Sequence, residues 1–270
     1  MITEQDFLRG YRIEDYDRPS VAADLVIFRM HTSERENFRK DPKNTLSLLL
    51  IKRGEHPFLG QWALPGGFLR MDETVEECAL REAKEETGIT PTAMFYLGVF
   101  SDVGRDPRGR IVSNAFTCIL NGEAVLKAGS DASEAQWFDV AFEEPGDGSF
   151  NVMLSAGDTV LRSHLTERQT LYGSVLTAAG PQPLAFDHAV IVASALRQLK
   201  ARAANFEAIF DFLPEPFTLT ALQKVQETVM NTAILPASFR RRIGDYVEET
   251  DAYTQGAGHR PAKLFRRKRT

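Results

Sequence analysis

Three glutamates and an arginine carry the first chemical signal in this chain. They lie in Gly67–Ile89, GFLRMDETVEECALREAKEETGI. On a helix, residues at i, i+3 and i+4 share one face, so Glu82, Glu85 and Glu86 fall within a sector of about 100°. Three carboxylates so close repel one another. A hard divalent cation is a natural counter-charge, because Mg²⁺, or Mn²⁺ in its place, favours carboxylate oxygens and keeps several waters. Arg81 precedes Glu85 by four residues and can pair with it, fixing its orientation. Glu73 can add a further carboxylate nearby. Gly66-Gly67 lets the backbone approach an ion closely, which adds Gly67 to the candidate metal set of Glu82, Glu85 and Glu86.

These residues need a helix to hold them. Thr74 and Glu77 form a capping box, and Gly88 stands at the C-terminal cap, so the spacing predicts a helix over 74–87. Val75, Ala79 and Ala83 recur on the opposite face and can pack on a sheet. A solvated, glutamate-rich surface helix is the bland alternative. That alternative does not account for the double glycine, the capping box, the terminal glycine and Arg81 at fixed offsets.

Around this helix, residues 21–30 and 45–53 read as strands, and Leu64-Pro65-Gly66-Gly67 reads as a loop. Residues 94–101 and 111–120 read as strands separated by a turn-like segment, 104–110. Residues 143–183 read as one or two strands with turns. Asp187–Ala204 is helical, with Ile191, Ala195, Leu196 and Leu199 in phase. The interleaving predicts an α/β or α+β layered domain over residues 1–203. Residues 204–270 form a second module: a hydrophobic connector (205–217), helices over 218–230 and 236–246, and a hairpin turning at 256–261. Two helices and a hairpin are the parts of a winged helix.

The 270 residues, 43% hydrophobic and 26% charged, exclude global disorder and suggest about two domains. The longest aliphatic run, 46–51, is far too short for a membrane span. The first ten residues show no apolar signal segment. Cys78 and Cys118 make neither a disulfide framework nor a zinc cluster, so a reducing cytoplasm is expected. Cys78 reads as packing, and Trp62 and Trp137 as core. His56 is assigned no role.

The net charge of −5 hides an asymmetry: residues 236–270 carry nine basic and four acidic side chains, leaving −10 on the rest. Arg240, Arg241 and Arg242 fall on the second helix of the small module, and Arg260 and Lys263 on its hairpin. A helix in the major groove and a wing on phosphates would use such residues to bind double-stranded DNA. A basic solubilising tail is the alternative. Arg105 and Arg108, in the loop GRDPRGR, suit a substrate phosphate, a neighbouring subunit or plain solvation.

The glutamate segment resembles the Nudix box, G-x5-E-x7-R-E-U-x-E-E-x-G-U, with Gly67, Glu73, Arg81, Glu82, Ala83, Glu85, Glu86, Gly88 and Ile89 filling every specified position. The resemblance implies a Nudix α/β/α sandwich with a mixed sheet. It also implies cleavage of a nucleoside diphosphate linked to another group, with Glu82 or Glu85 as base and Arg81 orienting. Metal ions on the glutamates would neutralise pyrophosphate oxygens and activate water for in-line attack.

Nearly the whole chain resembles the Nudix-related transcriptional regulators of NAD metabolism and their enzyme relatives. The matching residues are 16–20, the box, 105–110, 185–189, 213–219, 239–242 and 260–265. That likeness implies a C-terminal winged helix, a homodimer, and ADP-ribose or a related nucleotide sugar or dinucleotide as ligand. Regulators often have a degraded box; the box here is intact, which favours catalysis. The long 143–183 stretch resembles the enzyme relatives. The expectation is a Mg²⁺-dependent pyrophosphatase converting ADP-ribose to AMP and ribose 5-phosphate. The alternative is a repressor that senses such a ligand and binds DNA.

Overall fold

The computed structural model describes residues 2–32, 44–122, 125–126, 132–171, 173–178, 180–254 and 261–268. The chain runs α1 (Glu4–Gly10), β1 (Ser20–Thr32), β2 (Asn44–Arg53), β3 (Trp62–Ala63), β4 (Gly66–Phe68), α2 (Val75–Thr87), β5 (Ala93–Phe100) and β6 (Ile111–Leu120). It continues with β7 (Ala132–Glu143), β8 (Ser149–Ala156), β9 (Thr159–Thr170), β10 (Gly173–Ala178) and α3 (His188–Ala204). A small module follows: α4 (Leu219–Met230), α5 (Pro236–Ile243), β11 (Val247–Tyr253) and β12 (Lys263–Arg267).

Strands β1 to β10 form one mixed sheet in the order β10-β9-β8-β7-β2-β1-β6-β5, with β3 on β2 and β4 on β1. Only β1 and β6 pair in parallel, which leaves the rest antiparallel. The apolar runs of β1, β2 and β6 follow from burial on both faces. Along β1, Val26 and Phe28 point into the core under α3, while Ala23, Leu25 and Ile27 meet Cys78, Ala79 and Ala83 of α2 on the other side. The result is a helix–sheet–helix sandwich.

Helix α2 forms as its sequence dictates. Thr74 accepts from the Glu77 amide, Glu77 accepts from the Thr74 amide, and Gly88 closes the helix in the left-handed conformation at φ 75°. The expected strands at 21–30, 45–53, 94–101 and 111–120 and the helix over 187–204 are all present.

Four local expectations need correction. Residues 143–183 hold β8, β9 and β10, rather than one or two strands; their inward residues Phe150, Val152, Leu154, Leu165 and Leu176 join the core beneath α3. Strand β7, whose Phe138, Val140 and Phe142 alternate in phase, was not anticipated. Gly66-Gly67 belongs to strand β4, because pairing with β1 gives its backbone partners that a loop would lack. The last helix ends at Ile243, three residues early.

Phe217 and Phe265 exchange backbone hydrogen bonds at 2.9 and 2.8 Å and close the small module into a winged helix. Leu222, Val225, Phe239 and Ile243 share one core with Leu196 and Leu199 of α3, so the winged helix packs directly on that helix. The turn expected at 256–261 lies almost wholly outside the described residues. No helix among the described residues is long and apolar enough to cross a membrane.

Candidate active site

The acidic face of α2 is organised by one guanidinium. Arg81 Nε and Nη2 donate to Glu73 Oε2 and Oε1 at 2.8 and 2.7 Å, a bidentate pair. Its Nη1 donates to Glu82 Oε1 at 2.6 Å and Glu85 Oε2 at 3.0 Å. The Arg81 pair, aided by the Arg70 amide, holds the Glu73 carboxyl down at about 2. Glu73 thus supports Arg81. Arg81 pairs with Glu85 as expected, and it also supplies counter-charge to Glu73 and Glu82.

The glutamates then diverge in environment. Glu82 is half-buried, and burial pushes its carboxyl above the usual range although Arg81 pulls the other way. Glu86 accepts from the Gly66 amide at 2.8 Å. Glu85 is exposed and turned toward Arg81 and Arg70. A Cβ on Gly67 would stand 2.3 Å from Glu82 Oε1, so the glycine makes room for that carboxylate. A Cβ on Gly66 would meet the Ala23 carbonyl at 2.3 Å, which is what β1–β4 pairing requires. Burial raises the Cys78 thiol to about 12, consistent with packing.

Glu82, Glu86, Gly66 and Gly67 line a cleft of about 240 Å³ with Asp24, Arg53, His56, Arg105, Arg108, Phe186 and His188. A larger groove of about 1150 Å³ between β7–β9 and α4 is reached by none of the box residues. In the cleft, the loop arginines are not simply solvated. Arg105 is buried; its Nη2 donates to Asp187 Oδ1 at 2.7 Å and Asp24 Oδ2 at 3.2 Å, and its Nε to Asp187 Oδ2 at 2.9 Å. Burial alone would lower its pKa, but Asp187 and Asp24 outweigh that and raise it. Arg108 pairs with Asp106 at 2.7 Å and lies 5.0 Å from the Phe68 ring and 5.4 Å from the Phe186 ring. Arg53, 5.0 Å from the same Phe186 ring, has its pKa lowered by burial and by the nearby Arg108.

Asp24 also accepts from Ser113 at 2.6 Å. His188 Nδ1 accepts from the Leu64 amide at 2.9 Å, which places the ring proton on Nε2, facing Asp24. Burial pushes that imidazole's pKa below its ordinary value, although Asp24 and Asp187 pull the other way. Sequence reasoning missed Asp24, Arg53 and His188 as cleft residues, and Asp187 as the partner that holds Arg105. One signal was available: Asp24 is a lone carboxylate inside the apolar run VAADLVIF.

An oxygen-only donor set, with Gly67 leaving room for Glu82, suits a hard divalent cation. Among the described residues, no three His, Cys, Asp or Glu side chains surround a single point. Glu82 and Glu86 already line the cleft; Glu85 does not, and sits exposed beside Arg81 and Arg70.

On the winged helix, Arg240 and Arg241 are exposed on α5. Arg242, also exposed, donates to the Ala204 carbonyl at 3.2 Å and lies over the Phe206 ring at 4.9 Å. Lys263 pairs with Glu249 at 2.5 Å. Arg260 lies outside the described residues.

Residues 36–147 match the NUDIX domain family, and residues 209–267 match the NrtR DNA-binding winged helix domain. An ADP-ribose pyrophosphatase of Methanocaldococcus jannaschii is 46% identical over 134 residues, 49% of this chain and 68% of that protein. The ADPR responsive transcriptional repressor NtrR of Acinetobacter baylyi is 28% identical over 268 residues, 98% of this chain and 88% of that protein. The crystal structure of Shewanella oneidensis NrtR complexed with a 27mer DNA superposes with a TM-score of 0.62 at 28% identity, covering 92% of this chain and 93% of that one.

Proposed function

Since the chain belongs to the Nudix family and ends in an NrtR-type winged helix, we propose that it is a Mg²⁺-dependent hydrolase that cleaves ADP-ribose to AMP and ribose 5-phosphate. The observation that carries this reading is the intact box, with Glu82 and Glu86 lining a cleft that Arg53 and Arg108 also line. A divalent cation held by Glu82, Glu85, Glu86 and the Gly67 backbone, Mg²⁺ or Mn²⁺, would neutralise pyrophosphate oxygens when bound. The chain's own residues do the rest. Arg81 engages Oε1 of Glu82 and Oε2 of Glu85 and orients both; one of these two carboxylates takes the proton from the attacking water while the other stays with the cation. Arg53 and Arg108 meet phosphate oxygens in the cleft, and Arg105 ties β1 to the start of α3 through Asp24 and Asp187. Cleavage products from ADP-ribose, NADH, diadenosine polyphosphates and nucleoside triphosphates, with Mg²⁺ and with a chelator, test the reading. Rapid Mg²⁺-dependent release of AMP from ADP-ribose is expected. Tight ADP-ribose binding without cleavage would overturn it.

A second reading is supported by the full-length likeness to the Acinetobacter repressor and by the exposed Arg240 and Arg241 on α5. In that reading ADP-ribose in the cleft lowers the affinity of the winged helix for double-stranded DNA. We further propose a division between the modules at 203/204 and, from the family resemblance, a cytoplasmic homodimer; sedimentation of the purified chain would check the dimer.

A further inference from the structure

Two phenylalanines beside the cleft hold backbone conformations that bulky residues rarely take. Phe186 lies at φ 54° and Phe58 at φ 63°, both in the left-handed region. Their rings meet edge to face, with centroids 4.8 Å apart and planes at 67°. Strain of this kind persists only where the surroundings over-determine it, and it gathers at functional sites. At Phe186 the surroundings are plain. The Ala185 amide donates to the Trp62 carbonyl at 2.9 Å, and the Ala185 carbonyl accepts from the His188 amide at 3.2 Å. Ala185 is buried with Ile51 and Ala63, while Asp187 is committed to Arg105. Residue 186 is fixed between two anchored neighbours.

The half-buried Phe186 ring carries two cations. The Arg53 guanidinium lies 5.0 Å from its centroid and that of Arg108 5.4 Å; Arg108 also lies 5.0 Å from the Phe68 ring. A ring face attracts a guanidinium, whereas two guanidiniums repel each other. Burial and Arg108 accordingly lower the Arg53 pKa, with Asp106, Glu86 and Glu55 pulling the other way.

Much of the donor capacity of this pair is uncommitted. Arg53 Nε donates to the Pro57 carbonyl at 2.7 Å, and Arg108 gives Nε and Nη2 to Asp106. Both Nη groups of Arg53 and the Nη1 of Arg108 have no hydrogen-bond partner among the described residues, and both side chains line the cleft. Donors on two guanidiniums suit two linked phosphoryl groups, whose negative charge also relieves the repulsion between the cations.

We propose that Phe186 is a positioning residue for diphosphate binding, its ring holding the guanidiniums of Arg53 and Arg108 together at the cleft with donors free for two phosphoryl groups. The ring acts through the arginines and takes no phosphate contact of its own. This rests on the proposed reading of the cleft as the diphosphate site. A ring that merely packed against Phe58 would be replaced by leucine without loss of ligand.

Steady-state kinetics on ADP-ribose with Mg²⁺, and calorimetric binding of methylenediphosphonate, a diphosphate that cannot be hydrolysed at its bridge, test this on the full chain. Phe186→Leu is expected to raise KM and the methylenediphosphonate Kd by roughly 3- to 30-fold, with kcat within about 3-fold of wild type. Phe186→Tyr, which keeps the ring face, is expected to hold both constants near wild type. In an Arg53→Gln background the effect of Phe186→Leu is expected to shrink at least about 2-fold. If the leucine variant fails to fold, Phe186→Met carries the same expectations. An undiminished effect in the Arg53→Gln background would show that the ring acts on the ligand directly or through the fold, and would overturn the proposal. So would unchanged KM and Kd, a fall in kcat alone, or a tyrosine variant as weak as the leucine one. A chain that binds methylenediphosphonate with this dependence on Phe186 but leaves ADP-ribose intact would uphold the proposal and overturn the ADP-ribose reading. A wild-type chain that takes neither ligand would overturn both.

Discussion

Glu82 is the residue where stability and chemistry pull apart. Burial raises its carboxyl pKa, so in the window between the ordinary glutamate value and the raised one the folded chain holds a proton that the unfolded chain has lost. Stability then falls as pH rises through that window. A reaction that needs the carboxylate behaves oppositely and is lost as pH falls through the raised value. Glu82→Gln should therefore lower turnover by about 10²-fold or more while leaving the melting temperature at neutral pH equal or higher. Rates and melting scans between about pH 5 and 8 check both halves; equal losses of activity and stability would make Glu82 a structural residue. Glu73 has the other sign: held at about 2 by Arg81, it adds stability above the ordinary glutamate value that disappears as pH falls toward about 2.

The two glycines beside it separate in the same way. A methyl at Gly67 meets the movable end of Glu82, whereas a methyl at Gly66 meets the Ala23 backbone carbonyl. Gly67→Ala should displace the carboxylate and cut activity with little change in unfolding midpoint. Gly66→Ala should cost about 1–3 kcal/mol by forcing β4 off β1. The opposite order in chemical denaturation would show that the cleft wall is built differently.

At the scale of elements, local signals were readable and distant pairings were not. Helix α2 declared itself because its caps, its buried Ala79 and Ala83, and its acids all lie within four turns of one another. Thr74→Ala should cost about 1 kcal/mol, since it removes one half of a reciprocal cap whose other half, Glu77, then loses its geometry. An unaltered denaturation midpoint would mean that the box is ornamental in this helix. Strands β7 to β10 were harder to read. Only alternate residues of β8 and β9 are buried, and their meaning depends on pairing with neighbours and on α3, which arrives later in the chain. The site divides along the same line. Glu82, Glu85 and Glu86 come from one helical face and could be read as a unit. Asp24, Arg53, Arg105 and His188 come from four separated segments that only the folded sheet brings together. Helical spacing showed the pair of Arg81 with Glu85 but not the bond from Arg81 to Glu73, which joins a helix to the loop before it.

At the scale of the molecule, charge decides what the winged helix can do. The chain carries −5 overall, so an acidic body repels DNA and any binding must come through the small module. Its wing is largely self-compensated: Lys263 pairs with Glu249 and Arg266 with Glu248, each at 2.5 Å. Neither pair gives up its cation to a phosphate without exposing a carboxylate to the same phosphate. Arg240 and Arg241 have no ion pair or hydrogen bond among the described residues and face solvent on α5. Arg241→Ala should therefore weaken DNA binding more than Lys263→Ala does. It should also reduce the slope of log affinity against log salt by about 1, because one phosphate contact releases about one counterion. Hydrolysis of ADP-ribose should be unchanged, since α5 contributes nothing to the cleft lining. Fluorescence anisotropy of labelled duplex DNA over a salt series reads both affinity and slope. A wild-type chain that shows no affinity even at low salt, where phosphate contacts are strongest, would remove the repressor reading altogether. The winged helix would then be a packed extension of α3, and the enzyme reading would stand on the cleft alone.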